Sequence, residues 1–248
     1  MPEKMLLAIP VFNEAKYVRG VLADARRYCR EILVIDDGSS DKTPELLRQE
    51  TGVHILTHSE NRGYGQSLAD AFDFACDRAF DWLITMDCDE QHQPSCIPSF
   101  LAEVAKNDAD VISGTRYPLG SAGNVVAPPE RREINRRITG ILNERLGLRL
   151  TDAFCGFKAY RVEALSALAI TVPGYAMPMQ FWVQASRANL RIRELPVPLI
   201  YNDPNRYFGG TLDDPDVRLR HYLEVLEAEL NAVSSASTQE RVGCLSCR

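Results

Sequence analysis

Five short apolar runs, each closed by a polar segment rich in glycine or aspartate, fill the first half of this 248-residue chain. Leu6 to Phe12 ends in Asn13-Glu14. Ile32 to Ile35 ends in DDGSSDKTP, Val53 to Leu56 in HSENRGYG, Trp82 to Met86 in DCDEQHQP, and Val111 to Ser113 in GTRYP. Runs this short read as buried strands, and the stretches between them carry apolar residues at helical spacing, as at Val18, Val21, Leu22 and Ala25. Strands alternating with helices specify an α/β fold with a mainly parallel sheet and right-handed crossovers. Ligands of such sheets bind beyond the carboxyl ends of the strands. One polar loop there is only a loop, but five on one edge describe a binding face.

Local signals fill in the elements. Ser40 or Asp41 is the expected cap of a helix with Pro44 in its first turn. After residue 118, PLGSAGNVVAPPE reads as a loop. Helices are expected from Arg131 to Leu148 and from Pro178 to Asn189. RIRELPVPLIY reads as an extended segment whose prolines suit a sheet edge. Leu219, Tyr222, Leu223, Leu226 and Leu230 share one face of a C-terminal helix. That face suits core packing first, with a dimer seam or a membrane-surface helix as alternatives. The expected organisation is one domain over residues 1–235, with halves at 1–117 and 118–235 and a loose tail over 236–248.

Composition removes several classes. A formal charge of −6 and a pI near 5.3 argue against a nucleic-acid-binding protein, which needs a basic footprint. Seven cysteines, an odd number, do not make a disulfide framework. Cys244 and Cys247 lack the second pair a zinc site needs. The N-terminus MPEKMLLAIPVF lacks the long apolar stretch and cleavage site of a signal peptide. No run approaches the roughly 20 apolar residues of a membrane helix. The expected location is the cytoplasm, with any membrane contact peripheral.

The polar edge carries the candidate chemistry. Asp87 and Asp89 follow the fourth run, two residues apart, and could share one hard cation with substrate phosphates, Mg²⁺ or Mn²⁺. Gln91 and His92 follow and could add a ligand. Asp37 could accept hydrogen bonds from a base or ribose. Asn61-Arg62-Gly63-Tyr64-Gly65 permits close backbone approach at a helix start. Arg116, Arg131, Arg132, Arg136 and Arg137 put local positive charge into an acidic chain, and guanidinium forks match phosphate oxygens. Asp152 is a candidate general base or acceptor-holding residue. Cys155 has no histidine in a matching local motif, which argues against a nucleophilic role.

Taken in order, IPVFNE, DDGSSDKT, NRGYG, DCDEQHQP, GTRY and DAFCGFKAYR resemble the family 2 glycosyltransferases, nearest to their dolichyl- and polyprenyl-phosphate mannose and glucose synthase branch. The resemblance spans roughly residues 5–210. It implies a GT-A fold, a nucleotide-diphosphate sugar donor (GDP- or UDP-hexose), a divalent metal (Mg²⁺ or Mn²⁺) and inversion at the anomeric carbon. By the same resemblance, Pro10, Phe12, Asn13, Glu14 and Asp37 form the nucleotide pocket, with Gly65 near the base. Asp87, Asp89 and Gln91 match the metal and donor-phosphate site, with Asp89 also a catalytic residue. Arg116, Arg131 and Arg206 match the phosphate-binding arginines. Asp152 and Gly156 match the acceptor-side segment. Cys155 stands where the pattern has Ser, and NRYFGGT replaces RxxGxSK. The acceptor is open among lipid phosphate, glycan and small molecule, with a homodimer among the expected partners.

The expected reaction is an in-line displacement in which metal and arginines neutralise the departing nucleoside diphosphate. A phosphate acceptor needs no base; a hydroxyl acceptor would need one, with Asp152 the candidate. Two other readings are a sugar-nucleotide nucleotidyltransferase and a non-catalytic nucleotide-sugar-binding partner. The first lacks its GxGTR-like loop after the first strand, and the intact Asp87 and Asp89 weigh against the second.

Overall fold

The computed structural model describes residues 4–118, 127–201 and 208–232. Strand β1 (Met5–Val11) and strand β2 (Glu31–Asp36) are apolar on both faces, as central strands covered by helices on both sides must be. They pair in parallel with each other, and with β3 (His54–Thr57) and β4 (Trp82–Thr85) on their flanks. β5 (Val111–Thr115) runs parallel to β7 (Ile192–Pro196), which lies at the sheet edge as its prolines suggest. The order is β3-β2-β1-β4-β6-β5-β7. The intruder is β6 (Lys158–Arg161), antiparallel to both neighbours, with Thr85 and Ser113 each opposite Lys158.

Sequence patterning missed β6 because four residues of KAYR carry neither period nor length. Its reversed direction matters. An antiparallel strand begins at the edge where its parallel neighbours end, so residues 151–157 arrive at the binding edge rather than at the opposite one.

The pleat splits β1 between two cores. Leu6 and Ala8 join the face covered by α3 (Tyr64–Asp77), α5 (Pro129–Leu146), α6 (Val162–Leu165), α7 (Met177–Arg187) and α8 (Pro215–Asn231). Leu7, Ile9 and Val11 join the face covered by α1 (Val18–Ala25), α2 (Thr43–Leu47) and α4 (Ile97–Val104). Helix ends differ from expectation in small ways. Lys42, not Ser40 or Asp41, is the N-cap of α2, and Asp41 Oδ1 accepts from the Thr43 amide just inside the helix. α5 starts at Pro129 and stops before Gly147, whose φ of 67° makes the left-handed turn that ends helices. The leucine face of α8 packs against the chain's own core: Tyr222 and Leu226 are buried, and Leu219, Leu223 and Leu230 lie against the same cluster. Core packing is therefore the use this face is put to. No helix among the described residues is long and apolar enough to cross a membrane.

Trp182 ties the C-terminal helices to the binding edge. It is fully buried on α7 and its Nε1 donates to the Ala153 carbonyl at 2.9 Å. Trp182→Ala should cost about 3–5 kcal/mol, a cavity plus an orphaned carbonyl. Urea unfolding measures this, and a loss below about 1 kcal/mol would contradict the packing role.

Candidate active site: a cleft with one acidic and one basic wall

The ends of β1, β2, β4 and β5 and the start of β6 meet at one cleft of about 790 Å³. Its walls differ in charge. The carboxylates lining it are Glu14, Asp37, Asp87 and Asp89, all carried by the loops after β1, β2 and β4. The arginines lining it are Arg116, Arg131 and Arg218, carried by the end of β5 and by α5 and α8. Among the described residues no carboxylate lines the arginine wall.

On the acidic side, each loop is held by its neighbours. Pro10 lines the cleft near the end of β1, and Phe12 stands 45% exposed beside it. Asn13 adopts φ 58°, a left-handed conformation asparagine tolerates. Its Oδ1 accepts from the Ser40 and Asp41 amides, so the first loop is stapled to the second. Asp37 borders the cleft but is 3% exposed. Its carboxylate accepts from the Arg62 and Gly63 amides at 2.8 Å and contacts His58 Nδ1 at 2.6 Å. His58 Nε2 lies 2.7 Å from Asp70. Asp37 as placed spends its acceptor capacity holding the third loop. Gly65 also departs from expectation. It is absent from the cleft lining, and a Cβ there would lie 2.2 Å from the Val172 carbonyl. Gly63 and Tyr64, one and two residues earlier, are the ones that reach the cleft.

Asp87, Asp89 and Gln91 all line the cleft, in a bend beyond β4 rather than in the strand itself. The Tyr64 hydroxyl donates to Asp87 Oδ1 at 3.1 Å, and Asp89 Oδ1 accepts from the Gln91 amide. Burial and the Asp87 charge push the Tyr64 phenol well above its usual range, so it stays a donor. His92 is 4% exposed and its Nδ1 accepts the Asp87 amide. Burial lowers its pKa against the pull of Asp87, which favours the neutral ring that clamps the loop. Its Nε2 is 3.9 Å from Cys155 Sγ. Burial raises that fully buried thiol to about 11, which keeps it protonated and unreactive. Gly156 is obligatory here, because a Cβ would sit 2.7 Å from the Asp87 carboxylate.

On the basic side, Arg116 and Asp152 form a two-pronged pair. Nε donates to Oδ2 at 2.6 Å and Nη2 to Oδ1 at 2.9 Å, with the Arg116 amide on Oδ2 as well. Asn135 Nδ2 and the Phe154 amide also donate to Asp152 Oδ1. Asp152 is fully buried and absent from the cleft lining. Burial would raise its carboxyl, but the Arg116 charge and these hydrogen bonds override that and hold it at about 2. A carboxylate so held is a weak base near neutrality, and its oxygens are turned to Arg116 and Asn135 rather than to the cleft. It positions Arg116, which does line the cleft. Of the α5 arginines only Arg131 reaches the cleft; Arg132 and Arg137 are exposed elsewhere, and Arg136 pairs with Glu133. Arg206 lies outside the described residues.

Several lining residues went unread in the sequence: Asn135, Phe154, Tyr175, Phe208, Arg218 and His221. One signal existed. Arg218, Tyr222 and Leu226 are spaced four apart, so an arginine sits on the buried stripe of α8.

The mostly parallel sheet ending in such a cleft is a GT-A fold. The chain matches the family described as Glycosyl transferase family 2 over residues 7–169 and belongs to that family. It is 30% identical to an undecaprenyl-phosphate mannosyltransferase of Micrococcus luteus, over 88% of this chain and 93% of that protein. It is 28% identical to a polyprenol monophosphomannose synthase of Mycolicibacterium smegmatis, over 79% and 77%. A crystal structure of glucosyl-3-phosphoglycerate synthase from Mycobacterium tuberculosis, in complex with Mn²⁺, UDP and glucosyl-3-phosphoglycerate, has the same fold at a TM-score of 0.70. That match has 17% identity and covers 91% of this chain and 79% of that one. Another structure of the same synthase is in complex with Mg²⁺ and UDP, at a TM-score of 0.68.

Asp152→Asn should destabilise the protein by about 3 kcal/mol, because it strands a buried guanidinium. The sign of the pH effect follows from the depressed carboxyl. Its stabilisation is complete above the unfolded value of about 3.9 and is lost as pH falls toward 2. The variant should therefore show a smaller loss of stability between pH 4 and pH 2 than the wild type. A variant of unchanged melting temperature that loses only the acidic limb of its pH–rate profile would support the general-base role.

Proposed function

We propose that this glycosyltransferase is metal-dependent and inverting, and moves a hexose from a GDP- or UDP-sugar to a phosphate-bearing acceptor of the polyprenyl phosphate class. The observation that carries this reading is the division of the cleft. The loops after β1, β2 and β4 offer a nucleotide site with carboxylates; the opposite wall offers arginines, and the carboxylate nearest them, Asp152, is committed to Arg116.

Pro10, Phe12, Asn13 and Glu14 would cradle the nucleoside, with Phe12 free to stack on the base and Asp37 shaping the pocket through the third loop. Gly65, assigned to the donor by resemblance, is not among the residues that line the described cleft, and Arg206 lies outside the described residues. A divalent cation fits the donor set at Asp87 and Asp89. Both face the cleft, Gly156 leaves room at Asp87, and no cluster of three ligating side chains exists among the described residues. Two carboxylates, with Gln91 beside them, suit Mg²⁺ or Mn²⁺, which keep waters and substrate phosphates as their remaining ligands. When bound, that cation supplies charge neutralisation for the departing diphosphate. The metal in the crystallised synthase complexes supports the same assignment.

Arg116, fixed by Asp152, and Arg131 would stabilise the charge that moves between acceptor and leaving group. A phosphate nucleophile arrives already ionised and needs no base, which suits a wall whose nearest carboxylate is committed to Arg116. The names of the two relatives, an undecaprenyl-phosphate mannosyltransferase and a polyprenol monophosphomannose synthase, support this acceptor class. Association with the membrane surface would then come through the acceptor lipid.

Asp89→Ala should lower transfer by at least about a thousandfold while leaving the melting temperature within a few degrees of wild type. Radiolabel transfer from GDP-mannose, UDP-glucose and related donors to a short polyprenyl phosphate, with Mn²⁺ or with EDTA, measures this. Near-normal turnover in the variant, or full activity in EDTA, would remove the metal from the reaction.

A further inference from the structure

Arg218 is the anomaly of the cleft. It sits in the first turn of α8, is 3% exposed, and carries a charge that arginine does not give up. Its Nη1 donates to the Leu212 carbonyl at 2.8 Å. Its Nη2 is buried with no hydrogen-bond partner. No carboxylate lies within ion-pair distance of it among the described residues. The helix N-terminus itself is already satisfied by Asp214, which accepts from the Asp216 and Val217 amides.

What surrounds Arg218 makes its burial harder to explain as packing. Its guanidinium carbon lies 4.3 Å from the Phe208 ring centre, and that of Arg131 lies 4.9 Å from the same ring. Tyr175 meets Phe208 edge-on at 5.3 Å. Two cations thus share one aromatic ring in the wall where Arg116 also stands, with Arg218 itself lining the cleft. Burial holds the Arg218 guanidinium below its usual range, with Tyr222, Glu130 and Asp213 pulling against it and Arg131 adding to it. A desolvated, unpaired guanidinium beside a second one is costly in the empty protein. An anion between them would repay that cost.

We infer that Arg218 is a phosphate-binding residue of this cleft, a third guanidinium that the C-terminal helix adds to Arg116 and Arg131. It rests in part on the proposed function, since it supplies that site with a further ligand. The recognised chemistry is a phosphate oxyanion, from the acceptor phosphate or from the donor diphosphate. Binding would turn the Nη2 edge toward the cleft the residue already lines and give it the partner it lacks.

The test separates this role from structural support, and from the reading of the whole site. Arg218→Met keeps length and burial but removes the cation; Arg218→Lys keeps charge without the fork. Thermal shift with inorganic phosphate at constant ionic strength needs no transfer reaction. Titrations with UDP or GDP plus Mn²⁺, and with a short isoprenyl phosphate, then identify the source of the anion. Expected results are ligand-free Arg218→Met at least as stable as wild type, and a roughly tenfold or greater loss of affinity for phosphate. Weakening confined to the isoprenyl phosphate assigns the residue to the acceptor, and weakening confined to the nucleotide assigns it to the donor. If Arg218→Met fails to fold, Arg218→Lys decides alone, with weakened phosphate binding in a folded variant as the expected result. Unchanged phosphate, nucleotide and isoprenyl phosphate binding in a folded variant would overturn the inference. Should the protein transfer no sugar to polyprenyl phosphate, an Arg218-dependent response to inorganic phosphate would still uphold it.

Discussion

The buried pair of Arg116 and Asp152 is the interaction on which the second half of the molecule depends. It joins the end of β5 to the segment before β6, and through Asn135 to α5. Thr139 extends it, accepting from the Ala153 amide and donating to Asn135 Oδ1. Glu194 on β7 accepts from the Thr151 and Asp152 amides, which closes the ring across the sheet. Two charges removed from water are tolerable only when every lone pair is answered, and here Asp152 receives donors on both oxygens. A pair so fully answered holds its partner still. Arg116 is therefore presented to the cleft from a rigid mount, which is what electrostatic stabilisation of a transient charge requires.

The reversed strand explains how this mount comes to face the acidic wall of the cleft. In a wholly parallel sheet, the chain before each strand lies at the edge opposite the ligand. β6 runs backwards between β4 and β5, so its leading segment lies beside Asp87. The acidic wall is thus built from the ends of parallel strands and the basic wall is anchored by the beginning of an antiparallel one. That topology sets opposite charges on the two walls of one cleft.

The parallel half of the fold was legible because each of its strands is a bounded apolar run and each of its loops a polar one. The loops announced Asn13, Asp87, Asp89 and Arg116 as neighbours of a single edge, and these residues do line one cleft. Two kinds of information were not legible. Whether a polar side chain faces ligand or protein depends on partners distant in sequence. Asp37 and Asp152 sit in loops as polar as that of Asp89, yet both are committed to backbone amides and neighbouring side chains. The wall from α8 was the second gap, because its cleft residues lie on the same stripe as its core residues. A charge on that stripe looks like an interruption until the helix is docked against Phe208.

The segment that departs from the family pattern at Cys155 shows how tightly the edge is packed. Cys155 is fully buried, and a Cβ on Gly114 would lie 2.9 Å from its sulfur. On the other flank His92 approaches the same sulfur while its Nδ1 holds the Asp87 amide. A small, weakly polar side chain fits between them, and sulfur fills that space with less demand for hydrogen bonds than an oxygen makes. Cys155 therefore lies behind the Asp87 loop and does not line the cleft. Since His92 connects Cys155 to the backbone of Asp87, the residue behind the site and the carboxylate inside it form one mechanical unit. Any change of side-chain size at residue 155 would be felt first as a displacement of that carboxylate.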